Sequence, residues 1–178
     1  MSVENFAIIG GLILIIGGCF LFFVKEKHQE ICYSFLRDDR WGLFLFSVAS
    51  LWFLFKISQL GEADFGQYRS WLLLLFIFTF VGFGIYWRDF IGVRGLMMLV
   101  VMGVQKGLDI GYMSEALVRP YVSFYFYILI ILALFFGVYP YWMRDILRKL
   151  FRKQCRYVKY IGIFHVFYGS ILVILSYL

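Results

Sequence analysis

Residues 88–111 read RDFIGVRGLMMLVVMGVQKGLDIG, and how this stretch is threaded decides the fold. It opens on charge at Arg88 and Asp89 and runs apolar from Leu96 to Val104. Gln105, Lys106 and Asp109 then fall where a spanning helix would still lie within a bilayer. Gly95, Gly103, Gly107 and Gly111 recur at multiples of four residues. That spacing predicts one smooth stripe on a helix built to be packed against rather than to face lipid. A helix over 91–113 would measure about 34 Å at 1.5 Å per residue, enough for a hydrocarbon core about 30 Å thick. The rival threading is a re-entrant half-helix over 95–104. It would put the basic segment after Pro140 on the opposite side of the membrane from residues 25–40, against the charge rule for loops.

The flanking chain is of the same kind. Of 178 residues, 63% are hydrophobic and 16% charged, against roughly 45–50% and about 25% in a soluble domain. The apolar residues come in long blocks, which predicts an all-α polytopic membrane protein. Six spans are expected, at about 6–24, 41–60, 71–87, 91–113, 121–139 and 157–178, within a single integral-membrane domain over 1–178. Residues 6–24 read as a retained first span: Glu4 precedes them without Lys or Arg, and no small-residue cleavage site follows. Gly10 and Gly11 recur seven residues on as Gly17 and Gly18, which permits close packing on one face. Residues 88–90 alone separate the third span from the fourth, so these two are expected to form an antiparallel hairpin. Pro120 suits the first turn of the fifth span, and Pro140 is expected to end it.

Two basic stretches read as helices lying at the membrane surface. The first is 25–40, KEKHQEICYSFLRDDR, with Ile31, Phe35 and Leu36 at helical spacing. The second is 142–156, WMRDILRKLFRKQCR, with Met143, Ile146, Leu147, Leu150 and Phe151 as its apolar stripe. Its other face carries Arg144, Arg148, Lys149, Arg152, Lys153 and Arg156. Near a bilayer each such charge attracts anionic phospholipid headgroups by about 1 kcal/mol. The segments 25–40, 88–94 and 142–159 together hold 13 Lys and Arg; the opposite ends hold 4, namely Lys56, Arg69, Lys106 and Arg119. The positive-inside rule then puts both termini outside the cytoplasm. Residues 6–60 and 121–178 share one plan of span, basic surface helix and span, which either a duplication or the ordinary design of a cytoplasmic hairpin produces.

The last forty residues, YPYWMRDILRKLFRKQCRYVKYIGIFHVFYGSILVILSYL, carry a Pro–aromatic–Arg stretch, a short basic helix and a returning glycine-containing span. In this plan they resemble small bacterial inner-membrane proteins of unknown function. The resemblance implies a bacterial inner membrane and transfers no activity or site residue.

Candidate functional residues are few. Lys56, Gln105, Lys106 and Asp109 are the polar groups placed within spans. Charges at mid-membrane cost about 2.5–3.5 kcal/mol on insertion scales, so they tend to face protein and to carry function. A cluster of these four toward the outer surface would suit a solute, ion or proton site. Structural pairing, or lysine snorkelling to the interface, is the blander account. His165 lies well inside the last span, where a proton relay competes with a plain hydrogen bond to a neighbouring helix. The doublets Arg37-Asp38, Arg88-Asp89 and Arg144-Asp145 stand at helix ends as anchors, ion pairs or phosphate contacts. Cys19, Cys32 and Cys155 form no C-x-x-C pair, and no phosphate loop, H-E-x-x-H or paired-carboxylate site is present.

The expectation is therefore a non-catalytic subunit or an assembly scaffold of a membrane complex. A small transporter or channel using Lys56, Gln105, Lys106 and Asp109 is the alternative, and a lipid-modifying enzyme a distant third. The expected partners are the bilayer, anionic phospholipid headgroups, and other membrane subunits or a second copy of the chain. No nucleic acid, cofactor or metal is expected.

Overall fold

The computed structural model of the chain describes residues 2–25, 28, 30, 34, 38–87 and 89–177, with the side chains of all of these but 63 and 152–154. Six α-helices account for most of them: α1 (Val3–Phe22), α2 (Asp39–Ser58), α3 (Arg69–Tyr86), α4 (Ile91–Gly111), α5 (Arg119–Val138) and α6 (Pro140–Leu175). Each contains a stretch long and apolar enough to cross a bilayer; in α6 it is Cys155–Leu175. The surface helix expected over 25–40 falls largely outside the described residues.

Local chemistry accounts for the helix ends. Ser2 caps α1 by accepting a hydrogen bond from the Asn5 N–H, and Asp38 caps α2 through the Arg40 N–H. Pro120 sits in the first turn of α5 and Pro140 in the first turn of α6, where a missing N–H costs little. Pro140 thus opens the next helix, one residue beyond the Tyr139 cap that closes α5. At 36 residues α6 exceeds any single crossing; straight, it would run about 54 Å. The backbone of Cys155 breaks it with a φ of 57°, outside the right-handed helical region. The break separates the basic surface segment from the span, close to the boundary expected at 156/157.

Among the described elements, packing follows a path: α1 against α6, α6 against α5, α5 against α4, α4 against α2, and α2 against α3. The most extensive contact joins the first helix to the last. A Cβ on Gly11 would lie 2.8 Å from the Gly169 carbonyl oxygen, and one on Gly18 would lie 2.7 Å from that of Gly162. The two backbones therefore touch along an antiparallel seam. In α4, eight residues are buried, whereas none is in α3. The expected hairpin of α3 and α4 is antiparallel in direction, but its packing runs through α2. The reason is backbone approach. A Cβ on Gly95 of α4 would fall 2.5 Å from the Phe46 nitrogen, and one on Gly42 of α2 would fall 2.9 Å from the Gly92 nitrogen. α2 and α4 therefore run parallel, with their first turns in contact. α3 reaches the body chiefly through rings, with Phe80 against Phe46 and Phe53, and Phe76 against Phe53.

The basic surface segment closes one end of the molecule. Its Met143 and Leu147 pack on Val93, Met97 and Ala133; Leu147, Leu150 and Phe151 join Leu21, Val24, Cys155 and Val158. At the opposite end, Val3 and Ala7 of α1 meet Val118, Val122, Leu172 and Leu175 in one cluster. Both chain ends therefore lie at the same end of the molecule.

Candidate functional site

The four polar residues expected to cluster do not bond to one another. Lys106 places its Nζ 5.6 Å from the centre of the Trp52 ring, a cation–π contact between α4 and α2. Gln105, Lys106 and Asp109 are exposed and Lys56 is partly buried. Among the described residues, no side-chain hydrogen bond or ion pair joins Lys56, Gln105 or Asp109 to any group.

Nor do the four glycines of α4 form one stripe. Gly95 meets α2, and Gly107 meets the Phe126 ring of α5 and Phe6 of α1; Gly103 and Gly111 face open space. At about 100° per residue each four-residue step drifts by about 40°. Gly95 and Gly107 therefore address different neighbours, and Gly103 lies between them.

The same geometry gathers a different set. Arg94, Met98, Val101, Gln105 and Asp109 follow the i, i+4, i+7, i+11, i+15 pattern of a single face. Their lower part lines a cleft of about 370 Å³ with Phe46 and Phe53 of α2, Thr79, Phe80 and Phe83 of α3, and Ala133 and Gly137 of α5. The cleft exists because α3 and α5 pack on different helices and leave α4 uncovered between them. Its walls are aromatic, thioether and aliphatic apart from Thr79, whose hydroxyl donates to the Leu75 carbonyl, and Arg94 is their one charged group. The Arg94 guanidinium stands 5.9 Å from the Phe83 ring centre, and its Nε is sealed from solvent without a hydrogen-bond partner. Among the described residues no carboxylate pairs with it. Sequence reasoning used Arg94 only as one more charge near a helix end. The available signal was its position inside the apolar run, one helical turn beyond Asp89.

His165 has a structural setting. A carbonyl can only accept, so its Nδ1–H donates to the Ile161 carbonyl oxygen at 2.8 Å. Its Nε2 is then left to accept from the Tyr125 hydroxyl at 3.3 Å. Beside it, the Tyr168 hydroxyl donates to the Tyr121 carbonyl at 2.7 Å and its ring stacks on Tyr125. These contacts tie α5 to α6.

On the basic segment, Arg148, Lys149 and Arg156 are exposed. Arg144 pairs with Asp145 through Nη2 and Nε, both at 3.0 Å from one carboxylate oxygen. Arg156 donates to the Tyr160 hydroxyl at 3.0 Å. The side chains of Arg152 and Lys153 lie outside the described set, as do Arg37 and Arg88 of the other two doublets. Among the described residues no group of three His, Cys, Asp or Glu is placed to hold a metal ion. Comparison with protein-family models, with curated proteins and with solved structures gives no match.

Proposed function

We propose that the chain is a multi-pass integral membrane protein serving as a non-catalytic subunit or assembly scaffold of a membrane complex. The observation behind this reading is the far end of the open α4 face. Gln105 is exposed on the central helix about 9 Å short of its end, and among the described residues its side chain has no partner in this chain. Polar groups at membrane depth cost free energy unless protein or water covers them. A helix of another subunit, or of a second copy, supplies that cover. The bias of basic residues toward one end supports an orientation with the surface segment in the cytoplasm and both termini outside; the bacterial inner membrane rests on the resemblance of the last forty residues alone. The transport alternative requires Lys56, Gln105, Lys106 and Asp109 to act together, and no contact among them favours it.

The test is extraction in mild detergent followed by native mass spectrometry. A stoichiometric complex is expected, weakened by Gln105→Leu and by Gly103→Leu. Gly103 is the informative glycine, because a side chain there meets nothing within the chain. A monomer throughout the preparation, or an assembly unchanged in both variants, overturns the reading.

A further inference from the structure

The Arg94 cleft is a separate feature from the Gln105–Asp109 end, and its chemistry is specific. We propose that it binds one anionic phospholipid from the leaflet at the basic end, the phosphate on Arg94 and one acyl chain laid along α4 toward Met102.

Depth supports this occupant. Arg94 is three residues from the start of α4, about 4.5 Å along its axis, so a headgroup on it stays near the interface. From Arg94 to Met102 the cleft runs a further 12 Å or so, close to one leaflet, which is about half of a 30 Å hydrocarbon core. A spanning helix of a partner would need a groove through both leaflets. The wall is made for a chain rather than a polar solute: Phe46, Phe53, Phe80, Met97, Met98 and Val101 offer no hydrogen bond.

Charge supports the same occupant. The Nε of Arg94 is buried and unpaired, which is costly; an anion on the part of Arg94 that lines the cleft offsets the charge, and a turn of the guanidinium is needed for it to bond Nε as well. A phosphate accepts from a guanidinium fork in the geometry Arg presents. The segment closing this end adds Arg148 and Lys149, both exposed. Its Asp145 is already paired with Arg144 through one carboxylate oxygen. An anionic lipid is therefore favoured over a zwitterionic one.

The experiment is a lipid titration of the delipidated full chain, read by native mass spectrometry, with phosphatidylglycerol, phosphatidylcholine and oleate as separate probes. One phosphatidylglycerol is expected to stay bound where phosphatidylcholine and oleate are lost. Arg94→Met should weaken that binding by about tenfold or more. Arg148→Gln with Lys149→Gln, on the surface segment, should leave it within about threefold. Gly137→Leu is a second variant that keeps Arg94. Its Cβ would meet only Met97, at 3.9 Å, so the longer side chain fills the cleft and should also expel the lipid. Wild-type binding in both Arg94→Met and Gly137→Leu overturns the proposal. So does a loss confined to the Arg148/Lys149 variant, which would put the lipid on the surface segment, or equal retention of oleate, which would remove the phosphate from the argument. A photoreactive acyl chain that labels no residue among Met98, Val101 and Leu134 overturns it as well.

Discussion

Two buried polar atoms without partners, the Arg94 Nε and the Ser50 Oγ, stand close to the α2–α4 contact and have opposite meanings. Arg94 opens onto a cleft that an anion can enter. Ser50 is 7% exposed on the buried face of α2 and is not among the residues that line the cleft. A buried hydroxyl left unpaired costs about 1–3 kcal/mol, and alanine is nearly the same size. Ser50→Ala should therefore stabilise the protein by about 1 kcal/mol, raising the thermal midpoint by roughly 2–4 °C. A thermal melt in detergent reads this directly, and a lowered midpoint would show that the hydroxyl has a partner after all. Neither atom was legible in the chain alone. An arginine three residues into a helix looks the same in sequence whether it snorkels or points into a cleft, and burial of a serine depends on which neighbour arrives. The polar residues of α4 were legible as exceptions to the apolar pattern. What they do was not, because Lys106 finds the face of Trp52 rather than the carboxylate three residues along its own helix.

At the scale of elements, the seam between α1 and α6 is built from glycine at seven-residue spacing on both helices. Gly11 and Gly18 stand opposite Gly169 and Gly162, and a Cβ on Gly162 or Gly169 would lie 2.8 or 2.6 Å from the facing carbonyl oxygen. Backbone cannot move aside as a flexible side chain can, so a large residue here separates the helices. Gly18→Leu should cost about 1–3 kcal/mol, the range for overpacking a tight contact. Gly17→Leu, one position away with nothing within 4 Å, should be near neutral. Comparing the melting midpoints of these two variants tests the seam, and equal losses in both would refute it. The seven-residue repeat in the first span was legible. The member of each pair that packs was not, since adjacent residues point about 100° apart and the chain does not mark which direction holds a neighbour. The matching pair Gly162 and Gly169 was present in the sequence with the same spacing and is the signal that could have joined the two ends. In α4 the four-residue spacing misled, because it drifts across the helix surface.

At the scale of the whole molecule, the main helix contacts follow a path, with lighter ones from α4 to α1 and α6, and the first and last members of the chain are partners. That arrangement fixes a topological consequence independent of charge counting. Val3 and Leu175 share one cluster with the α4–α5 connection, while Val24, Phe90 and Met143, Leu147, Leu150 and Phe151 gather at the other end. The number of helices long and apolar enough to cross was legible from hydropathy, since that property needs only length and apolarity. The lateral order was not, because a three-residue connection dictates direction but not neighbourhood, and α2 comes between α3 and α4. α4 is continuous over Ile91–Gly111, about 31 Å long and sufficient for a full crossing, rather than a half-helix over 95–104. With six crossings the two termini must emerge on one side, and with a re-entrant fourth segment they would emerge on opposite sides. Reporter fusions separate these outcomes. Alkaline phosphatase, active only outside the cytoplasm, should be active when fused at either terminus and inactive when inserted beside Lys149. A fluorescent protein that matures only in the cytoplasm should give the reverse pattern. Termini that report differently from each other would remove one crossing. Termini that agree but both report the cytoplasm would keep the six-helix path and invert the orientation, leaving the basic segment and the Arg94 cleft in the outer leaflet.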